Sequence, residues 1–234
     1  MNNNSNSEPY NEGEWEEKED LLWSELEWRD YLKKLDKEIE RFLQLYAELP
    51  KTPELLDEAV HLMEWEPGEG IWNEVDTSEE IFTDEAHEDA GDSHDADLYT
   101  LHRHPLFIVT QALYRDLRRI WEDLMRQSGG TLNPTLVWDL ANSFNKGEVH
   151  AILAVQALDM EDYTLSLCHL KDALVGLNAS LGLLQSITSC NPQLAAAFQK
   201  ELHRRLFDLR ELWLRAMNDC REQVRLQADD KSEG

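Results

Sequence analysis

An apolar side chain recurs at alternating four- and three-residue steps over residues 163–184, and this repeat limits the possible folds more than any other feature. The seven positions are Tyr163, Leu167, Leu170, Leu174, Leu177, Leu181 and Leu184. This spacing lines them up along one side of an α-helix, as in a coiled coil, whereas a half-buried strand needs strict alternation. Gly176 and Ser180 lie beside this leucine seam and are small enough to let a second helix approach closely. The repeat therefore predicts a helix that packs against other helices of this chain or against a second copy in a homo-oligomer.

The segments on either side of the leucine seam have the same helical period. Further helices are predicted to open at Pro105, Asn133 and Pro192. We expect a break at Asn145 to Gly147, just before an apolar run that suits the middle of a bundle. Residues 104–226 therefore predict an all-α fold, an antiparallel bundle of four or five helices with short connections.

Residues 15–66 predict an acidic, amphipathic helical hairpin ahead of the bundle. The apolar positions of its first helix, over residues 15–49, are Leu22, Leu26, Leu32, Leu35, Ile39, Phe42 and Tyr46. Pro50 ends that helix. A second, shorter helix is predicted to begin with Thr52 as its N-cap and Pro53 at its first position, and to run to about Trp65.

The charge of the chain is strongly uneven. Its 48 acidic and 22 basic side chains give a net charge of −26, and residues 1–100 hold 31 of the acidic residues but only 7 of the basic ones. Direct binding to nucleic acid or to an anionic membrane is therefore not expected. An asymmetry of this kind indicates an acidic interaction segment that meets a basic protein or a larger complex.

Residues 67–103 predict an acidic, largely irregular linker, and residues 1–14 and 227–234 predict disordered polar tails. Between residues 61 and 100 there are 14 acidic side chains and neither Lys nor Arg. Apolar side chains nevertheless interrupt the acidic run, and the candidate partner-binding residues among them are Trp65, Trp72, Ile81 and Phe82. These side chains either dock on another protein or pin the segment to its own domain.

Arginines are the second set of candidate partner-binding residues. The candidates on two predicted bundle helices are Arg118, Arg119, Arg204 and Arg205. A guanidinium binds carboxylates and phosphates through two parallel hydrogen bonds, which suits a ligand or a partner. The alternative is that they pair with nearby carboxylates, namely Asp116, Glu122, Asp123, Asp208, Glu211 and Glu222.

Marks of catalysis are missing from the sequence. No phosphate-binding glycine loop, nucleophile elbow, HExxH or EF-hand loop occurs, and only Glu58 with His61 has the Glu-x-x-His spacing of a di-metal bundle. His169 and Asp172 share a helix face beside the seam, where an exposed pair is expected. We therefore expect no catalytic residue, no metal and no cofactor.

The expected location is the cytoplasm. No signal segment or membrane-spanning run is apparent, and three widely spaced cysteines suit a reducing compartment. The leading hypothesis is a non-enzymatic interaction protein, an adaptor or regulatory subunit, with the N-terminal tryptophans as apolar anchors, namely Trp15, Trp23, Trp28, Trp65 and Trp72. Two alternatives remain, an acidic mimic of nucleic acid that inhibits a basic nucleic-acid-binding protein, and a helical bundle that binds a metal or cofactor.

Overall fold

The computed structural model describes residues 23–65, 102, 104–187 and 192–233, and these residues are helical throughout apart from turns and short connections. The helices of this part of the chain are α1 (Glu25–Glu48), α2 (Leu55–His61), α3 (Pro105–Gln127), α4 (Pro134–Asp159), α5 (Tyr163–Leu184) and α6 (Pro192–Glu233). Two compact units divide within α1, after Lys37. The predicted all-α bundle is confirmed.

Helices α3 to α6 form an antiparallel four-helix bundle. On one side, Trp213 in the middle of α6 donates from its indole nitrogen to Thr110 near the start of α3, whereas Arg205, earlier in α6, pairs with Asp116 further along α3. On the other side, Gln199 near the start of α6 donates to the carbonyl of Leu184 at the end of α5. The helices alternate in direction, and each lies beside two of the other three, as in an up-down-up-down bundle.

The helices of the bundle begin where the sequence supplies a cap. Side chains of His104 and Asn133 accept hydrogen bonds from the backbone of the next turn, each ahead of a proline at the first helical position. Asp162 caps α5 in the same way. Between α3 and α4, Gly129 and Gly130 adopt positive φ angles of 56° and 81°, which end α3 and reverse the chain. The sequence predicted that helices open at Pro105 and at Asn133.

The expected break at Asn145 to Gly147 does not occur, because α4 runs without interruption from Pro134 to Asp159. Gly147 lies inside the helix, where it allows α5 to come close. A Cβ atom at Gly176 of α5 would lie 2.7 Å from the Gly147 nitrogen. The glycine marks a close helix crossing rather than the end of a helix.

The leucine seam of α5 is only partly buried. Leu170, Leu177 and Leu184 are fully buried, whereas the alternate members of the repeat remain half-exposed. The small residues beside the seam are buried in their place, namely Ser166, Ala173, Gly176 and Ser180. Helix α5 therefore turns its small-residue side toward α4, which brings the two backbones into contact.

The two N-terminal helices begin and end at other residues than the predicted hairpin. Helix α1 begins at Glu25 rather than near residue 15, because Ser24 and Glu27 exchange hydrogen bonds between side chain and backbone in a capping box. Helix α2 covers only Leu55–His61, with Glu54 rather than Thr52 at its N-cap. Residues 15–22 of the predicted hairpin lie outside the described part of the chain.

The second half of α1 and all of α2 belong to the same unit as the bundle. Ile39, Phe42 and Tyr46 of α1 are buried, as are Leu55 and Leu56 of α2.

Within the described residues, no helix combines the length with the apolar character that crossing a bilayer requires.

Candidate interaction site

Arg205 of α6 is the centre of an ion-pair network that links three helices. Its guanidinium donates to Asp116 of α3 through Nε and to Glu201 of its own helix through Nη1, at 2.8 Å from the carboxylate. The Arg205 side chain is 10% exposed and that of Asp116 is 15% exposed. Both charges are therefore largely removed from water, and each needs the other.

Tyr46 joins α1 to this network. Its hydroxyl donates a hydrogen bond to the carboxylate of Asp208, one turn along α6 from Arg204 and Arg205. The guanidinium carbons of both arginines lie 5.8 Å from the centre of the Tyr46 ring. Burial raises the pKa of Asp208, and the hydrogen bond from Tyr46 offsets part of that cost.

Glu201 is the acidic hub of the same network. Lys51, between α1 and α2, donates to it at 2.9 Å, and Arg204 donates at 2.6 Å. Partial burial opposes ionisation, but hydrogen bonds from Arg205 and Lys51 and the charge of Arg204 outweigh burial. They lower the pKa of Glu201 to about 2. Glu201 is therefore ionised throughout the physiological pH range, and it holds the hairpin to the bundle.

Carboxylates of the hairpin pair with further arginines of the bundle. Glu40 of α1 lies 3.3 Å from Arg115 and 3.9 Å from Arg119, and Asp57 of α2 accepts hydrogen bonds from Arg215. Of these three arginines, Arg119 was a predicted candidate for binding a partner. The interpretation that the arginines bind carboxylates of their own chain fits the described residues.

Arg118, another predicted candidate, pairs with a buried carboxylate of the bundle. It forms a two-pronged ion pair with Glu148 of α4, and the second of the two hydrogen bonds is 2.7 Å long. Burial raises the pKa of Glu148 in spite of this pairing. Nearby, the hydroxyl of Tyr114 is buried with no hydrogen-bond partner among the described residues, against Gly147. Glu148 and Tyr114 are buried, whereas the Arg118 side chain is 44% exposed.

The first half of α1 carries exposed apolar side chains. Leu26, Trp28 and Leu32 are 67%, 40% and 43% exposed. The rings of Trp23, Trp28 and Tyr31 form a cluster, with centroids 4.9–5.8 Å apart. We call Trp23, Trp28, Tyr31 and Leu32 the aromatic face; Leu26 is two residues from Trp28 and lies on the opposite side of the helix. The sequence indicated Trp23 and Trp28 as anchors but assigned Leu26 and Leu32 to the hairpin core, because periodicity does not tell whether a partner helix covers a stripe.

A groove of about 390 Å³ lies where α3 turns into α4. Its lining consists of Met125, Gly130, Leu132, Pro134, Val137, Trp138 and Ala141. Trp138 is 69% exposed. The lining contains no ionisable side chain. The groove therefore offers apolar contact but no acid, base or charged metal ligand.

The acidic linker contributes less to the described structure. Trp65 is half-buried, just beyond α2, whereas Trp72, Ile81 and Phe82 lie outside the described residues. Within the described residues, no group of three or more His, Cys, Asp or Glu could hold a metal ion. His61 and Glu58 are both exposed. A pair of histidines, His150 and His169, does come together across α4 and α5, and the sequence gave no sign of it because the two lie on different helices.

Within the described residues, Lys51 and Asp57 pair with charged side chains of α6, and Trp28 and Leu32 of α1 are exposed. Comparison of the chain with protein-family models, with curated proteins and with solved structures returned no match.

Proposed function

We propose that this protein is a non-enzymatic adaptor or regulatory subunit of the cytoplasm. The bundle acts as the scaffold, and the aromatic face binds a basic amphipathic helix of a partner protein. The observation that carries the proposal is the exposure of Trp28 and Leu32, which are spaced four residues apart on one side of α1. Steps of three and four residues continue this line through Leu35 to Ile39, which is buried. Apolar side chains in water gain free energy when a partner covers them.

The chemistry of the partner follows from charge. Residues 1–22 contain seven acidic side chains and one lysine, and residues 66–100 contain thirteen acidic side chains and no Lys or Arg. A basic segment is attracted toward such a chain over long distances, and its apolar side then packs on aromatic anchors. Helix-in-groove recognition of this kind uses anchors at three- and four-residue spacing.

The arginines of the bundle are less suited to this role. Arg205 and Arg204 bind Glu201, and Arg118 binds Glu148. A ligand at these positions would have to displace a carboxylate of the same chain. The free thiols of Cys168 and Cys220 suit the reducing conditions of the cytoplasm.

The test measures binding of the full chain to a short synthetic amphipathic peptide of Leu and Lys by fluorescence titration. A peptide of equal charge with Ser in place of Leu is the ligand control. The variant Trp28→Ala/Leu32→Ala is expected to lose at least about tenfold in affinity for the Leu/Lys peptide, because two apolar anchors are removed. Phe207→Ala is the matched protein control, since Phe207 is 52% exposed on α6.

The salt dependence of peptide affinity distinguishes long-range electrostatic attraction from apolar contact. Affinity for the Leu/Lys peptide is expected to fall between low and high salt, and replacing the seven acidic residues from Glu8 to Asp20 by amides is expected to reduce that fall. Equal affinity of the Trp28→Ala/Leu32→Ala variant and of Phe207→Ala would contradict the proposal. So would equal binding of the Leu/Lys and Ser/Lys peptides.

A further inference from the structure

Helix α3 begins at an imidazole. The side chain of His104 is its N-cap, and Nδ1 of the ring accepts a hydrogen bond of 3.1 Å from the backbone nitrogen of Leu106. The usual acceptor at an N-cap is a side-chain oxygen. Asn133 supplies such an oxygen at the corresponding position of α4, and it accepts from the backbone nitrogen of Thr135 at 2.9 Å. Each of the two caps is followed by a proline at the first helical position, so they differ mainly in the chemistry of the acceptor.

The hydrogen bond from Leu106 exists in only one state of the His104 ring. A backbone N–H is always the donor, so Nδ1 must carry a lone pair, and the single ring proton of the neutral form is then on Nε2. A protonated imidazole carries a hydrogen on both nitrogens and accepts no hydrogen bond. Protonation of His104 therefore removes the cap and sets two N–H groups against each other.

The surroundings of His104 favour the neutral ring. The N-terminus of a helix carries a partial positive charge, and the first turn of α3 contains no acidic side chain that would balance it. Burial lowers the pKa of His104 below its ordinary value of 6.5. The negative charge of Asp159, in the last turn of α4, favours the imidazolium, but burial is the larger effect. The folded chain therefore keeps His104 neutral at pH values at which an exposed histidine takes up a proton.

The turn that His104 caps belongs to the core of the bundle. Leu106, Phe107 and Ile108 are all buried. A second imidazole lies at the same end of α3, since the ring of His102 packs edge-on against Phe107 with the ring centroids 5.1 Å apart. Burial lowers the pKa of His102 as well. Loss of the His104 cap therefore loosens a turn whose side chains are apolar and out of contact with water.

We propose that His104 is an acid-sensitive cap, which holds the first turn of α3 closed at neutral pH and releases it when the ring takes up a proton in mildly acidic solution. Because the folded state favours the neutral ring, the stabilisation is present in full above about pH 6.5, where the unfolded chain is also neutral at this position. It is lost as the pH falls below that value. The opening is local to α3, since Asn133 and Asp162 cap α4 and α5 without an imidazole.

The test follows amide hydrogen exchange of the full chain by NMR at about pH 7.5 and about pH 5, on either side of the ordinary titration of histidine, with each rate divided by the intrinsic rate at the same pH. We expect the protection of the Leu106 amide to fall about fivefold or more at the lower pH, because an N-cap is lost. The Thr135 amide, capped by Asn133, is expected to keep its protection. In His104→Asn, which supplies an amide oxygen in the same place, the protection of Leu106 is expected not to depend on pH. The matched control is His102→Gln, which is expected to keep the fall.

Three results would overturn the acid-sensitive cap. These are equal protection of Leu106 at both pH values in the unaltered chain, the same fall in His104→Asn, or a nitrogen spectrum of neutral His104 in which Nδ1 carries the proton. If His104→Asn does not fold, the ring of the unaltered chain decides, because its nitrogen chemical shifts give the pH of half-protonation directly. Half-protonation is expected below about pH 6.5, and a value at or above it would contradict the proposal.

Discussion

Arg205 of α6 and Asp116 of α3 form an ion pair that is largely buried between two antiparallel helices. Their positions are 89 residues apart in the chain. A buried pair of this kind adds little net stability over an apolar pair, but loss of one partner leaves the other charge unpaired in a medium that solvates it poorly. The pair therefore constrains which side of α6 meets α3.

Asp116→Ala is expected to lower the free energy of unfolding by about 1.5–3 kcal/mol, because Arg205 loses one of its two carboxylate partners and keeps Glu201 as the other. Urea denaturation followed by circular dichroism measures the change. Asp123→Ala is the control, since Asp123 forms an exposed pair with Arg126 and its loss is expected to cost no more than about 0.5 kcal/mol. Equal losses in the two variants would show that burial of the Arg205 pair has no energetic consequence.

Two glycines of α5 are expected to respond in opposite directions to the same substitution. In Gly176→Ala the new methyl group would lie 2.7 Å from the backbone of Gly147, which pushes α4 and α5 apart and costs about 1–3 kcal/mol. In Gly182→Ala the methyl group meets nothing within 4 Å, and helix propensity gains about 0.5–1 kcal/mol. Thermal melting of both variants measures the difference. Stabilisation by both substitutions would mean that the backbones are not in close contact.

The period of the sequence predicted the helices of the bundle, and their caps and prolines placed most of the starts. It did not predict that α4 continues through Gly147, because a glycine that ends a helix and one that admits a neighbouring helix look alike in one sequence. The leucine repeat correctly predicted a helix over residues 163–184. The side of α5 that faces α4 is set by the close contact of the two backbones, so α5 buries its small residues as well as three of its leucines. Which side of α5 is buried, and whether Gly147 ends α4, depend on the neighbouring helix, and the local sequence carries no information about that neighbour.

The interaction surfaces were predictable to a smaller extent. The sequence identified the arginines and the tryptophans as candidates. It did not show which arginines form ion pairs with carboxylates of the same chain. Pairs such as Glu40 with Arg115, or His150 with His169, arise only when two helices have a fixed relative register. Leu32 was assigned to the hairpin because it belongs to the same series of mostly three- and four-residue steps as Phe42, which is fully buried.

Two buried tyrosines are expected to differ in their response to loss of the hydroxyl. Tyr114→Phe removes a buried hydroxyl that has no hydrogen-bond partner among the described residues, so stability is expected to rise by about 1 kcal/mol. Tyr46→Phe removes the donor to Asp208 and is expected to cost about 1–3 kcal/mol. Urea denaturation of both variants under the same conditions measures the change in the free energy of unfolding, which is expected to be positive for Tyr114→Phe and negative for Tyr46→Phe. A loss of stability in Tyr114→Phe would indicate that its hydroxyl is satisfied, for instance by water.

The acid sensitivity of the hairpin docking is expected to depend on Glu201. Its pKa is about 2 in the folded chain, below the ordinary value of 4.5. Because the folded-state pKa is lowered, the stabilisation is present in full above about pH 4.5. It is lost as the pH falls from there through about 2, and below that pH Glu201 is protonated in both the folded and the unfolded state.

Glu201→Gln removes this titration while it keeps the size of the side chain. Near neutral pH the variant is expected to be less stable by about 1–2 kcal/mol, a figure that allows for solvent screening of a side chain that is 31% exposed. The deficit is expected to shrink steadily below about pH 4.5 and to vanish near pH 2, as measured by urea denaturation at constant ionic strength. A deficit that stays constant across this range would mean that Glu201 stabilises the chain through packing rather than through its charge.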